Sequence, residues 1–218
     1  MVLRPIEVQE KHPVKLPLDI EQVKGFLAEK EGAALYQAAT EVARLGPVLE
    51  IGSYCGKSTV YLGMACKQQD SVLYAVDHHR GSEEHQLGEE YHDPDLYDAG
   101  EEMLDSFREF RRTLRRVELE DHVVPIVATS RVASRHWATP LGMVFIDGGH
   151  SLEAALTDYR GWAPAIVPGG ILAIHDIFPD PDEGGQAPYT IWKMALASGL
   201  FDELRITGTL GFLRRIDN

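Results

Sequence analysis

Four groups of titratable residues in this chain each stand at the end of an apolar run. Glu50 follows Val48-Leu49 and precedes a turn through Gly52 and Gly56. Asp77 closes Val72-Leu73-Tyr74-Ala75-Val76, and Asp147 with His150 follows Met143-Val144-Phe145-Ile146. His175 and Asp176 follow Ile171-Leu172-Ala173-Ile174. Carboxylates can accept hydrogen bonds from hydroxyl groups or face a cationic centre. A histidine near its ordinary pKa can take up a proton at neutral pH, so His150 and His175 are the candidate bases.

Apolar runs that end in polar residues must be strands of a buried sheet, and ligands of such sheets bind beyond the strand carboxyl ends. After Glu50-Ile51 the chain turns through Gly52-Ser53-Tyr54-Cys55-Gly56 and enters a helical pattern from Lys57 to Ala65. That is the nucleotide-binding corner of a doubly wound α/β domain. The glycine spacing is not the G-x-G-x-x-G of dinucleotide sites, since Tyr54 occupies the middle position. It is one residue short of a phosphate-binding P-loop, although Gly56-Lys57-Ser58 completes the end of that pattern. Glu50 would repel a pyrophosphate and suits a ligand with a cationic centre and no phosphate.

The four strand-end groups, in this order, resemble the motifs of class I S-adenosylmethionine-dependent methyltransferases of the small-molecule O-methyltransferase type. The resemblance spans nearly all of residues 47 to 216. It implies a doubly wound, mostly parallel seven-stranded sheet, Rossmann-like, with an antiparallel hairpin at the C-terminus where Leu204–Arg214 reads as two short strands. It implies that Glu50, Gly52, Ser53, Tyr54, Gly56 and Ser58 surround the methionine part of the cofactor. Asp77 would hold the ribose, His78 would lie near the adenosine, and Thr129 and Ser130 would bracket the adenine, with no acidic partner for its amino group evident there. Asp147 borders the cofactor, and Asp147, His150 and His175 are the catalytic candidates. In related enzymes carboxylates after these two strands hold magnesium. Here Asp147, His175 and Asp176 would form the metal set, with a nitrogen ligand that favours zinc, manganese or iron over magnesium.

Residues 1–46 read as an N-terminal arm and helices packed on a methyltransferase domain at 47–218, with a long insertion at 78–121. Asp19 is placed to cap a helix carrying Ile20, Val23, Phe26 and Leu27, and a second helix follows Glu31-Gly32. Val123–Val127 contains Pro125 and so reads as an edge strand. Met103 to Val117 has a helical pattern, His85 and His92 read as solvated loop residues, and residues 178–189 read as a lid. The arginines between Arg108 and Arg116 read as a solvated face.

The chain of 218 residues carries 34 acidic against 21 basic residues, a formal charge of −13, which disfavours a phosphate backbone as partner. A small-molecule acceptor is expected, with no nucleic acid, no membrane, a cytoplasmic location, and a homodimer left open. Cys55 and Cys66 lack any zinc spacing and read as packing residues. The rival functions are a nicotinamide-dependent oxidoreductase and a catalytically silent cofactor-binding protein.

Overall fold

The computed structural model describes residues 14–82 and 93–217. In chain order the strands are β1 (Val48–Ile51), β2 (Leu73–Asp77), the short pair β3 (Tyr97–Asp98) and β4 (Met103–Leu104), β5 (Val123–Val127), β6 (Leu141–Ile146), β7 (Ile166–Ile174), β8 (Phe201–Thr207) and β9 (Leu210–Arg215). The helices are α1 (Glu29–Val42), α2 (Lys57–Gln68), α3 (Phe107–Arg116), α4 (Ser130–Ala133), α5 (Leu152–Trp162) and α6 (Ala187–Ala197). Seven strands form one sheet in the order β5-β2-β1-β6-β7-β9-β8. The first five pair in parallel, and β9 joins β7 antiparallel as part of the β8–β9 hairpin. This is the expected doubly wound sheet with its closing antiparallel strands.

The physical logic is three layers. β1 and β6 are buried at every residue, as strands covered on both faces must be. One core packs α1, α2 and α3 against the sheet through Leu35, Val60, Leu62, Phe110 and Phe145. The other packs α5 and α6 through Trp162, Ile191, Trp192, Val144 and Leu172. Among the described residues β5 pairs only with β2, and Pro125 opposite Ala75 faces the open edge, where its missing donor costs nothing. Because all parallel strands point the same way, Glu50, Asp77, Asp147 and His175 arrive at one rim of the sheet.

Local structure departs from the sequence reading in three places. The expected helix after Asp19 is a single 3-10 turn, Ile20–Gln22, capped by Asp19. The chain then extends, Gly25 passes too close to Lys57 for any side chain, and Phe26 is left exposed instead of core. The next helix begins at Glu29, ahead of Gly32, because Glu31 bends back to accept from the Ala28 N–H at 3.2 Å. Gly32 is tolerated inside it since the Tyr61 ring fills the space of a side chain. Finally, Met103 and Leu104 pair with Tyr97 and Asp98 as strands, and helix α3 starts only at Phe107. The reading of His85 and His92, and that of residues 1–13, lies outside the described residues.

Candidate active site

The first glycine of the turn is dictated by packing. Gly52 has φ +88°, and a Cβ there would collide with the Asp147 carbonyl of the neighbouring strand end. Only glycine permits both. Tyr54, where a dinucleotide site would have glycine, sits at φ 46° in the left-handed region. It is held there by Asp77, whose Oδ2 accepts from the Tyr54 N–H at 2.8 Å while Oδ1 accepts from the His79 N–H at 2.6 Å. Asp77 therefore binds the β1 turn to the tip of β2. In the sequence His79 reads, with His78, as a possible extension of the Asp147–His175 constellation from the long loop. Its ring is buried, contacts Ser106 at 2.9 Å through Nδ1, and packs on Phe107 and Phe110. Burial lowers its pKa, so it acts as a neutral brace behind Asp77.

Two cavities open over the strand ends. The first, about 580 Å³, is lined by Gly52, Tyr54, Asp77, His78, Thr129, Ser130, Asp147 and Asp158, among others. The second, about 520 Å³, is lined by Lys24, Phe26, Ser53, Ser58, His175, Asp176 and Phe178, with Pro188 at the head of α6. They share Gly52, Tyr54, Ser82, Asp147, Gly148 and His150. Each is of the size that holds a small ligand.

Glu50 lines neither cavity. It is fully buried under the turn, where Thr59 Oγ1 donates to its Oε2 at 2.6 Å. Burial raises its carboxyl to about 7, against hydrogen bonds from the neighbouring hydroxyls, and the nearby Asp147 raises it further. Among the described residues its Oε1 has no partner in hydrogen-bond geometry, and the Ser53 hydroxyl beside it has none other than Glu50. These under-satisfied atoms below the turn fit a ligand with a positive centre above it. Gly56 caps α2 at φ 94° and does not line a cavity. Cys55 and Cys66 are buried free thiols pushed up to about 12 by burial, consistent with packing and not with redox work.

Asp147, His150, His175 and Asp176 do converge, and with them a residue that sequence reasoning missed. His175 Nδ1 lies 3.0 Å from Asp147 Oδ1 and 3.4 Å from Asp176 Oδ2, while Nε2 lies 3.3 Å from Glu31 Oε2. Burial opposes a charge on this ring, but Asp147, Asp176 and Glu31 together raise it to about 12. These carboxylates favour the protonated ring, which weighs against His175 as the base. Burial would raise Glu31, but the bonds from His175, Thr209 and Ala28 bring it down to about 2. Glu31 Oε1 also accepts from the Thr209 N–H at 2.8 Å. Nothing marked it in the sequence, because a glutamate near the start of a helix is ordinary.

His150 stands apart from that clamp. It is partly exposed, borders both cavities, and its Nε2 lies 3.1 Å from Asp176 Oδ2. Burial opposes ionisation of Asp176, but His150 and His175 hold its carboxyl well below the usual range. Asp176 itself has φ 55°, a conformation that re-aims its carboxylate toward both histidines. Ligand atoms of Asp147, His175 and Asp176 all lie within 4.8 Å of one another. The donor set of one nitrogen and two carboxylate oxygens would suit a borderline divalent cation only with loss of the His175 ring proton, with Glu31 on the far ring nitrogen as the orienting carboxylate.

The remaining candidates take plain places. Thr129 caps α4, and His78 Nδ1 accepts from the Arg80 N–H at 3.0 Å. The segment after β7 is pinned by its own Gln186, whose amide donates to the carbonyls of Phe178 and Gly184. The arginine face of α3 is exposed, with Arg112 on Glu109 and Arg115 near Glu120. Among the described residues no helix is long and apolar enough to cross a membrane.

A family model described as a methyltransferase domain matches residues 49–177. Among solved structures, the O-methyltransferase NovP is similar at 16% identity and a TM-score of 0.68, over 87% of this chain and 81% of that one. A Podospora anserina methyltransferase bound to S-adenosylhomocysteine is similar at 13% identity and a TM-score of 0.61, over 88% and 80%. An O-methyltransferase from Bacillus cereus, also in complex with S-adenosylhomocysteine, is similar at 14% identity and a TM-score of 0.59, over 89% and 86%.

Proposed function

Because the chain belongs to the methyltransferase-domain family, and is an S-adenosylmethionine-dependent methyltransferase, we propose that it methylates a hydroxyl oxygen of a small molecule. The observation that carries this reading is the pair of adjoining cavities with the His150–Asp176 dyad at their junction. One cavity is available for the donor and one for the acceptor, and a histidine backed by a carboxylate stands between them. The bound cofactor supplies an electrophilic methyl group on a sulfonium centre. Asp77 would accept hydrogen bonds from its ribose, and Tyr54, Ser53 and Ser58 would enclose its methionine end.

His150 is the proposed base. Asp176, 3.1 Å from Nε2, would stabilise the imidazolium formed when the ring takes the acceptor's proton. His175, whose protonated form Asp147, Asp176 and Glu31 favour, is the weaker choice; it fixes the positions of Asp147 and Asp176. Phe26, Tyr54 and Phe178 give the second cavity apolar walls that keep water from the oxygen. A second reading is favoured by the clustering of Asp147, His175 and Asp176: these residues would hold a divalent cation, which lowers the pKa of an acceptor oxygen.

Calorimetric titration with S-adenosylhomocysteine, using NADH and ATP as controls, tests the donor side. Binding of the first alone, weakened about a hundredfold or more in Asp77→Ala, supports the reading, and saturable binding of NADH or ATP instead would overturn it. Mass spectrometry of hydroxylated small molecules incubated with S-adenosylmethionine, with and without chelator, tests the acceptor and metal parts.

A further inference from the structure

We propose that the β8–β9 turn, Gly208-Thr209, is a positioning element for methyl transfer: it holds His175 through Glu31 and the Asp176 backbone through Ile177, and so fixes where His150 stands. The proposal rests on the reading of His150 as the base. Thr207 and Leu210 pair across the turn, which leaves Gly208 and Thr209 as its two central residues. Gly208 has φ +62°, a value that glycine supplies at the first position of such a turn. Neither residue lines a cavity, so any part they take in catalysis passes through other groups.

Two routes lead from Thr209 to the base. In the first, the Thr209 N–H and hydroxyl both donate to Glu31 Oε1, at 2.8 and 3.1 Å. That leaves Oε2 facing His175 Nε2 at 3.3 Å, where it also accepts from the Ala28 N–H. With one oxygen tied to the turn the carboxylate is held against rotation, and it grips the ring from the side opposite Asp147 and Asp176. A Cβ on Gly208 would collide with Glu31 Oε1, so the turn is closed directly over that carboxylate. In the second route, the Thr209 carbonyl accepts from the Ile177 N–H at 2.8 Å. That bond fixes the peptide just after Asp176, whose φ of 55° is costly unless its surroundings impose it. Gly211 of β9 supports the same segment, since a Cβ there would collide with the Ile177 side chain. Both routes meet at Asp176 Oδ2, which lies 3.4 Å from His175 Nδ1 and 3.1 Å from His150 Nε2. Misplacing a catalytic group by about 1 Å can cost about a hundredfold in rate, so a turn outside the cavities can govern turnover.

The test reads NMR proton–nitrogen correlation spectra of the histidine rings in the isotope-labelled full chain, at one pH near neutral and with no acceptor present. Thr209→Val removes the hydroxyl and keeps the backbone bonds of the turn. It should shift the ring signals of His175 and His150, while those of His122 and His136, outside the clamp, stay in place. Thr209→Ser, which keeps the donor, should return both to their wild-type positions. Gly208→Ala, forced against Glu31, should shift them further; if it does not fold, the valine and serine variants decide. Thr209→Val spectra in which His175 or His150 is unmoved, or in which all four histidines move alike, overturn the proposal. In turnover of a hydroxylated acceptor, Thr209→Val should lower kcat by about threefold or more at unchanged S-adenosylhomocysteine affinity, and that loss should vanish in a His150→Ala background. An equal loss in that background would overturn the route through His150. Full turnover by His150→Ala itself would sink the base reading instead, and the ring signals would still report the clamp.

Discussion

The two cavities share six residues yet are built by different means. The first rests on strand tips and turns: Asp77 held by two backbone N–H groups, Gly52 pressed on the Asp147 carbonyl, and the glycine turn below. The second rests on side chains drawn from distant segments. Glu31 of α1 meets His175 of the sheet and Thr209 of the β8–β9 turn, and Lys24 bridges to Asp93 at 2.7 Å and Asp95 at 2.9 Å. A region fixed by backbone geometry can hold one kind of ligand firmly. A region closed by charged side chains can be reshaped by exchanging a few of them.

The sharpest break between the cavities comes from His150→Ala. It should lower kcat by about a hundredfold or more while S-adenosylhomocysteine affinity stays within about twofold, read by steady-state kinetics and calorimetry. A parallel loss of cofactor affinity would show that the two sites are not separable. Next in size, Glu31→Gln leaves the buried His175 ring short of one anion. It should cost about 3 kcal/mol in urea unfolding and reduce turnover, again with cofactor affinity preserved.

A pH series probes the turn beneath both cavities. Glu50 has an ordinary value of 4.5 and a folded value of about 7, so the unfolded chain ionises it first. A raised carboxyl contributes stability at low pH that is lost as pH rises from about 4.5 to about 7. Thermal unfolding across that window should show the loss in the wild type and a flatter profile in Glu50→Gln; identical slopes would refute a strained carboxyl beneath the turn. The smallest effect belongs to Lys24→Ala. Its partly exposed pairs should contribute no more than about 1 kcal/mol, visible as a salt-sensitive change in acceptor KM with little change in Tm.

The same division governs what could be read from the residues. The sheet, its order at the proline edge and the rim carrying Asp77, Asp147 and His175 follow from apolar runs ending in polar residues, a pattern local in sequence. The pull toward a protonated His175 follows only in part, because Glu31, 144 positions away along the chain, adds to that of Asp147 and Asp176. Phe26 shows the same limit from the other side. Its spacing from Val23 suits a helix, but the close passage of Gly25 over Lys57 forbids one. Asp158, in the lining of the first cavity, was legible in principle: it falls three residues after Ala155 and four before Trp162, a carboxyl on the buried face of a helix.

The Glu31 junction has a consequence for heredity. The lining of the first cavity, from Ile51 to Asp158, falls wholly within the stretch matched by the methyltransferase family. Glu31 and Thr209 fall on opposite sides of that stretch, one before it and one after. The segments on either side of that stretch are therefore bound to each other through a residue pair that spans it. A chimera that borrows one end from a relative without the other would carry a folded donor half and an orphaned charge. Lineages that diversify their acceptors should exchange both ends together.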